Sequence, residues 1–104
     1  MGFDYGNMMK QAKIMQQKMQ EIQEELKAMN FEASAGGGAV KVRINGDQEI
    51  LGVEINKDMV DSGDLDMIGD MVMVAVNDAV RQSKEEAKRK MLSLTGGMNI
   101  PGMF

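Results

Sequence analysis

The chain is expected to be an α+β domain: a long N-terminal helix, a three-stranded antiparallel β-meander and a long C-terminal helix. Three observations predict that order. Residues 7–30 repeat apolar side chains at a helical period. Residues 31–55 contain three short alternating runs punctuated by glycine. Residues 64–94 return to a helical period after an acidic stretch.

The first helix carries Met8, Ala12, Met15, Met19, Ile22, Leu26 and Met29 at alternating spacings of four and three, a heptad-type seam. Gln, Lys and Glu, all good helix formers, fill most of the intervening positions. Asn7 is a suitable N-cap and Asn30 a suitable stop.

Strands are predicted at 31–35, 39–45 and 48–55. Phe31–Ala35 alternates weakly and runs into Gly36-Gly37-Gly38, a loop. Val40, Val42 and Ile44 alternate with Lys41, Arg43 and Asn45, as a half-buried strand does. Asn45-Gly46-Asp47 signals a hairpin. The third run sets Leu51, Val53 and Ile55 on one face and Glu54 on the other. The expected pairing is therefore Val42 with Leu51 and Val40 with Val53.

Residues 56–63 form a connection, and the second helix spans 64–94. Its buried stripe is expected to be Leu65, Ile68, Val72, Val76, Ala79, Ser83, Ala87 and Met91. Early aspartates and late lysines and arginines complement the helix dipole. Residues 1–94 are expected to form a single domain, and the Gly-rich 95–104 a flexible tail.

Size bears on assembly. The first helix is about 36 Å long at 1.5 Å per residue, whereas three strands make a sheet about 15 Å wide. One copy cannot cover both helical stripes along their lengths, so a homodimer is the least costly arrangement. Its core and dimer seam would combine the seven heptad residues with Val40, Val42, Leu51 and Val53.

Composition narrows the chemistry. The 104 residues include no cysteine and no histidine, which removes thiolate ligands, disulfides, and the commonest general base and metal ligand. No enzyme, metal or cofactor is therefore expected. No signal-peptide pattern or membrane-length apolar run is present, so a cytoplasmic chain with no membrane partner is expected. Asp58, Asp61, Asp64 and Asp66 lack EF-hand spacing and read as a solvated helix start. Gly36-Gly37-Gly38 is not followed by Lys-Ser/Thr, so it is no phosphate-binding loop. The methionines at 8, 15, 19 and 29 lie on the heptad seam, where packing explains them.

The formal net charge is −4, but it is unevenly spread. Residues 46–80 hold nine carboxylates against Lys57 alone, while 7–20 hold Lys10, Lys13 and Lys18 with no acid. Lys13, Gln17 and Gln20 share a face of the first helix, with Lys10 beside them; Lys18 adds to the same basic half. On the second helix Arg81, Lys84 and Lys88 share a face, although Glu85 stands four residues from Arg81. Arg89 and Lys90 are placed to engage Glu85 and Glu86 at i,i+4. A solvated polar face accounts for such stripes, and so does contact with DNA phosphates and base edges. The residues alone leave both readings standing.

The order of motifs adds information. Asn7-Met-Met-Lys-Gln-Ala-Lys-Ile-Met-Gln-Gln-Lys-Met-Gln20 leads to Ala35-Gly-Gly-Gly-Ala-Val-Lys-Val-Arg-Ile-Asn-Gly46. An acidic stretch with Val76-Asn-Asp-Ala79 and the tail Thr95-Gly-Gly-Met-Asn-Ile-Pro-Gly-Met-Phe104 follow. Over essentially its whole length the chain resembles the YbaB/EbfC family of nucleoid-associated proteins. The resemblance implies the helix–three strands–helix fold and a homodimer whose helices project like tweezers. It also implies binding to double-stranded DNA with a change in its conformation, in the nucleoid, serving gene expression and DNA protection. It implies no catalysis and no small-molecule substrate. On this reading Lys10, Lys13, Gln17, Lys18, Gln20, Arg81, Lys84 and Lys88 are the candidate DNA contacts, chosen on charge and geometry. A second reading makes the Met-rich seam a groove that accepts a partner helix, and the chain a protein-interaction adaptor.

Overall fold

The structure, a computed structural model, describes residues 4–94; the tail expected at 95–104 lies outside the described residues. The chain runs α1 (Tyr5–Ala28), β1 (Asn30–Ala35), β2 (Val40–Asn45), β3 (Ile50–Ile55) and α2 (Leu65–Leu94). The strands form one antiparallel sheet in the order β1-β2-β3, as the meander requires.

α1 starts two residues before the expected position. Asp4, not Asn7, is its N-cap, and the Asp4 carboxylate accepts the Asn7 backbone N–H at 3.0 Å. The helix ends at Ala28, with Met29 already extended and Asn30 in β1. Its freed Leu26 carbonyl accepts from the Gly46 backbone N–H at 2.7 Å, which docks the β2–β3 turn onto the helix end. A Cβ on Gly46 would stand 2.6 Å from that same oxygen, so the approach requires glycine.

Gly36, Gly37 and Gly38 all have positive φ (64°, 67° and 100°), a left-handed turn that only glycine adopts without strain. The β2–β3 connection differs from a two-residue hairpin. Asn45 pairs with Glu49 across the three residues Gly46–Gln48, and Gln48 takes φ 63°. The Asn45 side-chain oxygen accepts from the backbone N–H groups of Asp47 (3.0 Å) and Glu49 (2.9 Å), which fixes the turn.

That extra turn residue, plus an irregularity between Arg43 and Ile44, shifts the register by two from the expected one. Val42 pairs with Val53 and Val40 with Ile55; Val42 does not pair with Leu51, nor Val40 with Val53. Leu51 is the residue left over at the bulge.

α2 lies across β1 and β2. The core consists of Ala33, Val40, Val42 and Ile44 from the sheet and Ala75 and Ala79 from α2. The centre of the helix stripe is Ala75–Ala79–Ser83, three small residues that let helix and sheet approach closely. Leu65, expected in the stripe, is 73% exposed because it precedes the part of α2 that covers the sheet. The Ser83 hydroxyl is buried and donates to the Asn45 carbonyl at 2.8 Å. Asn45 thus ties the hairpin turn to α2, and its neighbour Gly46 ties it to α1.

Beyond the sheet, the last turns of α2 run antiparallel to the C-terminal part of α1. Lys90 Nζ meets the Glu25 carboxylate at 3.2 Å, where the sequence had suggested Glu86. The rest of α1 projects, giving overall dimensions of 74 × 23 × 16 Å. Of the expected seam, Leu26 is buried and Met19, Ile22 and Met29 are half-buried, while Met8, Ala12 and Met15 are exposed. Val40 and Val42 are buried as expected, but Leu51 and Val53 are exposed because α2 does not extend over β3.

Candidate nucleic-acid interface

An α-helix turns by about 100° per residue, so α1's residues can be placed around the axis from Leu26, which faces the protein. Lys10, Lys13, Gln17 and Gln20 then fall on the opposite side, and all four are exposed. Lys10 and Lys13 line one shallow groove with Met9, Ala12 and Gln16. Gln17 and Gln20 border a second with Glu21 and Glu24. Those two glutamates mark where the cationic face ends.

Lys18 falls elsewhere. It lines a groove with Glu21, Ile22, Glu25, Ser93 and Leu94, on the flank of α1 that turns toward α2. The structure therefore separates Lys18 from the Lys10/Lys13 face with which sequence order had grouped it.

Arg81, Lys84 and Lys88 are exposed on the side of α2 away from the sheet. They are not equivalent. Arg81 donates to the Asp78 carboxylate in an i,i+3 ion pair, so its partner is Asp78 rather than Glu85. The hydrogen bond from Arg81 holds the Asp78 carboxyl below its usual value, and the same bond raises the Arg81 pKa. Arg89 is likewise committed to Glu86, at i,i+3 rather than i,i+4. Arg89 satisfies one oxygen of Glu86, and the other, Oε1, is buried without a hydrogen-bond partner. Among the described residues Lys10, Lys13, Lys18, Lys84 and Lys88 make no ion pair.

The two basic regions are apart within one chain. Glu25 lies beside Lys90, and Lys13 stands twelve residues further along the arm, which is about 18 Å of helix. Two cations on the outer face of the sheet escaped the sequence reading, Lys41 and Arg43. The signal was present, since they alternate with the buried Val40, Val42 and Ile44 and so point away from the core. The Arg43 guanidinium lies across Gly52, where a Cβ would come within 2.9 Å of it.

The acidic stretch has structural work. Asp61 accepts from the Gly63 backbone N–H at 2.9 Å, and Asp64 caps α2 by accepting from Met67 N–H at 3.1 Å. Among the described residues no cluster of three acidic side chains is arranged to hold a metal ion. Nor is any described helix long and apolar enough to cross a membrane.

Comparison with known proteins places these features in a family context. Residues 1–98 match the model of the YbaB/EbfC DNA-binding family. A nucleoid-associated protein of Clostridium novyi is 50% identical over 103 residues, covering 99% of this chain and 90% of the relative. One of Thermoanaerobacter pseudethanolicus is 47% identical, covering 99% and 93%. The crystal structure of an uncharacterized Helicobacter pylori protein superposes with a TM-score of 0.83 at 22% identity, covering 91% of this chain and all of that one. The last likeness is one of fold.

Proposed function

The chain belongs to the YbaB/EbfC DNA-binding family, and from that premise we propose that it acts as a homodimer that coats double-stranded DNA in the bacterial nucleoid and alters its conformation. The family is one of nucleoid-associated DNA-binding proteins, not an enzyme class. Gene regulation and DNA protection follow from such coating.

One observation carries the reading. On a chain of net charge −4, the projecting arm of α1 presents Lys10 and Lys13 with Gln17 and Gln20 on an exposed face, and neither lysine is engaged by an acid. An unpaired ammonium gives up no internal partner when it meets a phosphate, and it releases a condensed counterion there. Lys84 and Lys88 supply a second unpaired patch on α2, with Lys18 between the helices. The acidic stretch around the sheet repels the duplex, so contact is confined to the helices. Glutamine adds hydrogen bonds to phosphate or base edges, and with no recognition-helix motif or aromatic stacking set in the sequence, sequence preference is modest.

Fluorescence anisotropy of a labelled duplex, titrated across salt concentrations, tests this function. The expected result is binding whose log–log slope is about −0.9 per neutralised phosphate. Absence of binding at low salt, or a slope near zero, contradicts it.

A further inference from the structure

α1 carries one apolar line along its length, and the described part of the chain covers only one end of it. At about 100° per residue, Met8, Ala12, Met15 and Met19 all fall within about 40° of Leu26 around the axis. Leu26 is buried and Met19 and Ile22 are half-buried, yet Met15 is 42% and Met8 51% exposed. The cause is where α2 ends. Lys90 meets Glu25, and Leu94 lines a groove with Lys18 and Ile22, so α2 runs toward the start of α1 and stops at that level. Met15, Ala12 and Met8 lie beyond it.

Two features of the chain say what covers them. The first is reach. Residues 95–104 follow Leu94 directly, and α2 delivers them to the flank of α1, pointed along the arm. From Lys18 to Met8 is ten residues, about 15 Å of helix, whereas ten extended residues span about 33 Å. The second is composition. Residues 95–104 include Met98, Ile100, Met103 and Phe104 and no charged side chain. That suits an apolar line and not the Lys10 and Lys13 face, which lies on the opposite side of α1.

We propose that residues 95–104 fold back onto α1 of the same chain and cover Met15, Ala12 and Met8, with Met98, Ile100 and Phe104 as the side chains that seat. Gly96 and Gly97 end the helical run and let the chain cross from the flank of α1 to its apolar line. Asn99 stands between Met98 and Ile100, so an extended segment turns both apolar side chains to the helix and the amide to water. The occupant is this segment rather than a separate partner because it is tethered. A short linker holds it at an effective concentration on the order of millimolar. The contact gives the arm the packing that a lone helix lacks. It also leaves Lys10, Lys13 and Gln17 open, since they face away from it.

Nuclear magnetic resonance of the full chain, labelled at the methionine methyl groups, tests the contact. The Met15 methyl should show Overhauser contacts with Ile100 or Phe104 of its own chain. The triple variant Met98→Asp, Ile100→Asp, Phe104→Asp should shift the Met8 and Met15 signals. It should leave in place the signal of Met71, which packs against the core and reports folding. Amide exchange across residues 8–19 should quicken about tenfold in that variant, and across 21–26 by less than about twofold. Met15→Lys should remove the same contacts from the helix side. Met8 and Met15 signals that do not move, with exchange unchanged, would overturn the proposal. So would contacts that, in a mixture of labelled and unlabelled chains, arise only between chains, because a second copy then covers the arm.

Discussion

Lys13 and Arg81 are both exposed cations on helices, yet they start from different states. Lys13 is unpaired, whereas Arg81 must give up Asp78 before it can meet a phosphate. Replacing Lys13 with Gln should therefore lower duplex affinity and reduce the magnitude of the salt slope by about 0.9 for each copy in contact, about 1.8 for a dimer gripping with both arms, while Arg81→Gln should change both much less. A titration of each variant across salt would show the difference. The contrast should hold at mildly acid pH as well. Asp78 is held below its ordinary 3.8, so it stays charged, and its pair with Arg81 is lost only as pH falls through that lowered value. Between pH 5 and 8, on the order of the usual working window, Arg81→Gln should behave alike. Ser83 operates through packing rather than charge. Its hydroxyl serves the buried Asn45 carbonyl, so Ser83→Ala should cost about 1–3 kcal/mol in urea denaturation. A loss under about 0.3 kcal/mol would mean that the carbonyl finds another donor.

Elements show which parts of the fold were legible in the sequence. Both long helices and the three strands follow from hydrophobic periodicity, and each lies within a few residues of its expected bounds. The register of β3 was not legible, because it depends on a third turn residue and on a bulge that alternation cannot reveal. The centre of the α2 stripe was legible at Ala79 and Ser83, which are buried as expected. Ala75 was not, because periodicity weights large apolar residues and this small one sits where the sheet presses closest. The candidate DNA face was legible for Lys10, Lys13, Gln17 and Gln20, which one helix places by itself. It was not for Lys18 or Arg81, whose surroundings depend on the packing of α1 on α2 and on the choice between two nearby acids. Two substitutions test the backbone account at this scale. Gly69 lies within α2 with open space where a Cβ would sit, so Gly69→Ala should stabilise by about 0.5–1 kcal/mol. Gln48 sits at φ 63°, so Gln48→Gly should stabilise as well, by about 1 kcal/mol. Thermal and urea melts would read both. Destabilisation at Gly69 would mean that the helix needs its glycine for a contact outside one chain.

At the scale of the whole molecule, the shape and the charge distribution divide the work. The sheet with the first half of α2 is acidic and rich in exposed apolar surface, which suits it to joining copies. The projecting end is basic and carries few packing contacts, which suits it to a polyanion. In the proposed dimer two arms would convert the second contact into an intramolecular one, multiplying affinity by about a hundredfold or more over a single arm. The most direct measurement is duplex binding by the Lys10→Glu, Lys13→Glu double variant at low salt, beside the wild type, with both checked for dimer formation by sedimentation. The account predicts an intact dimer whose affinity for the duplex falls at least about thirtyfold. An intact dimer that binds the duplex as tightly as the wild type, with the same salt slope, would contradict it.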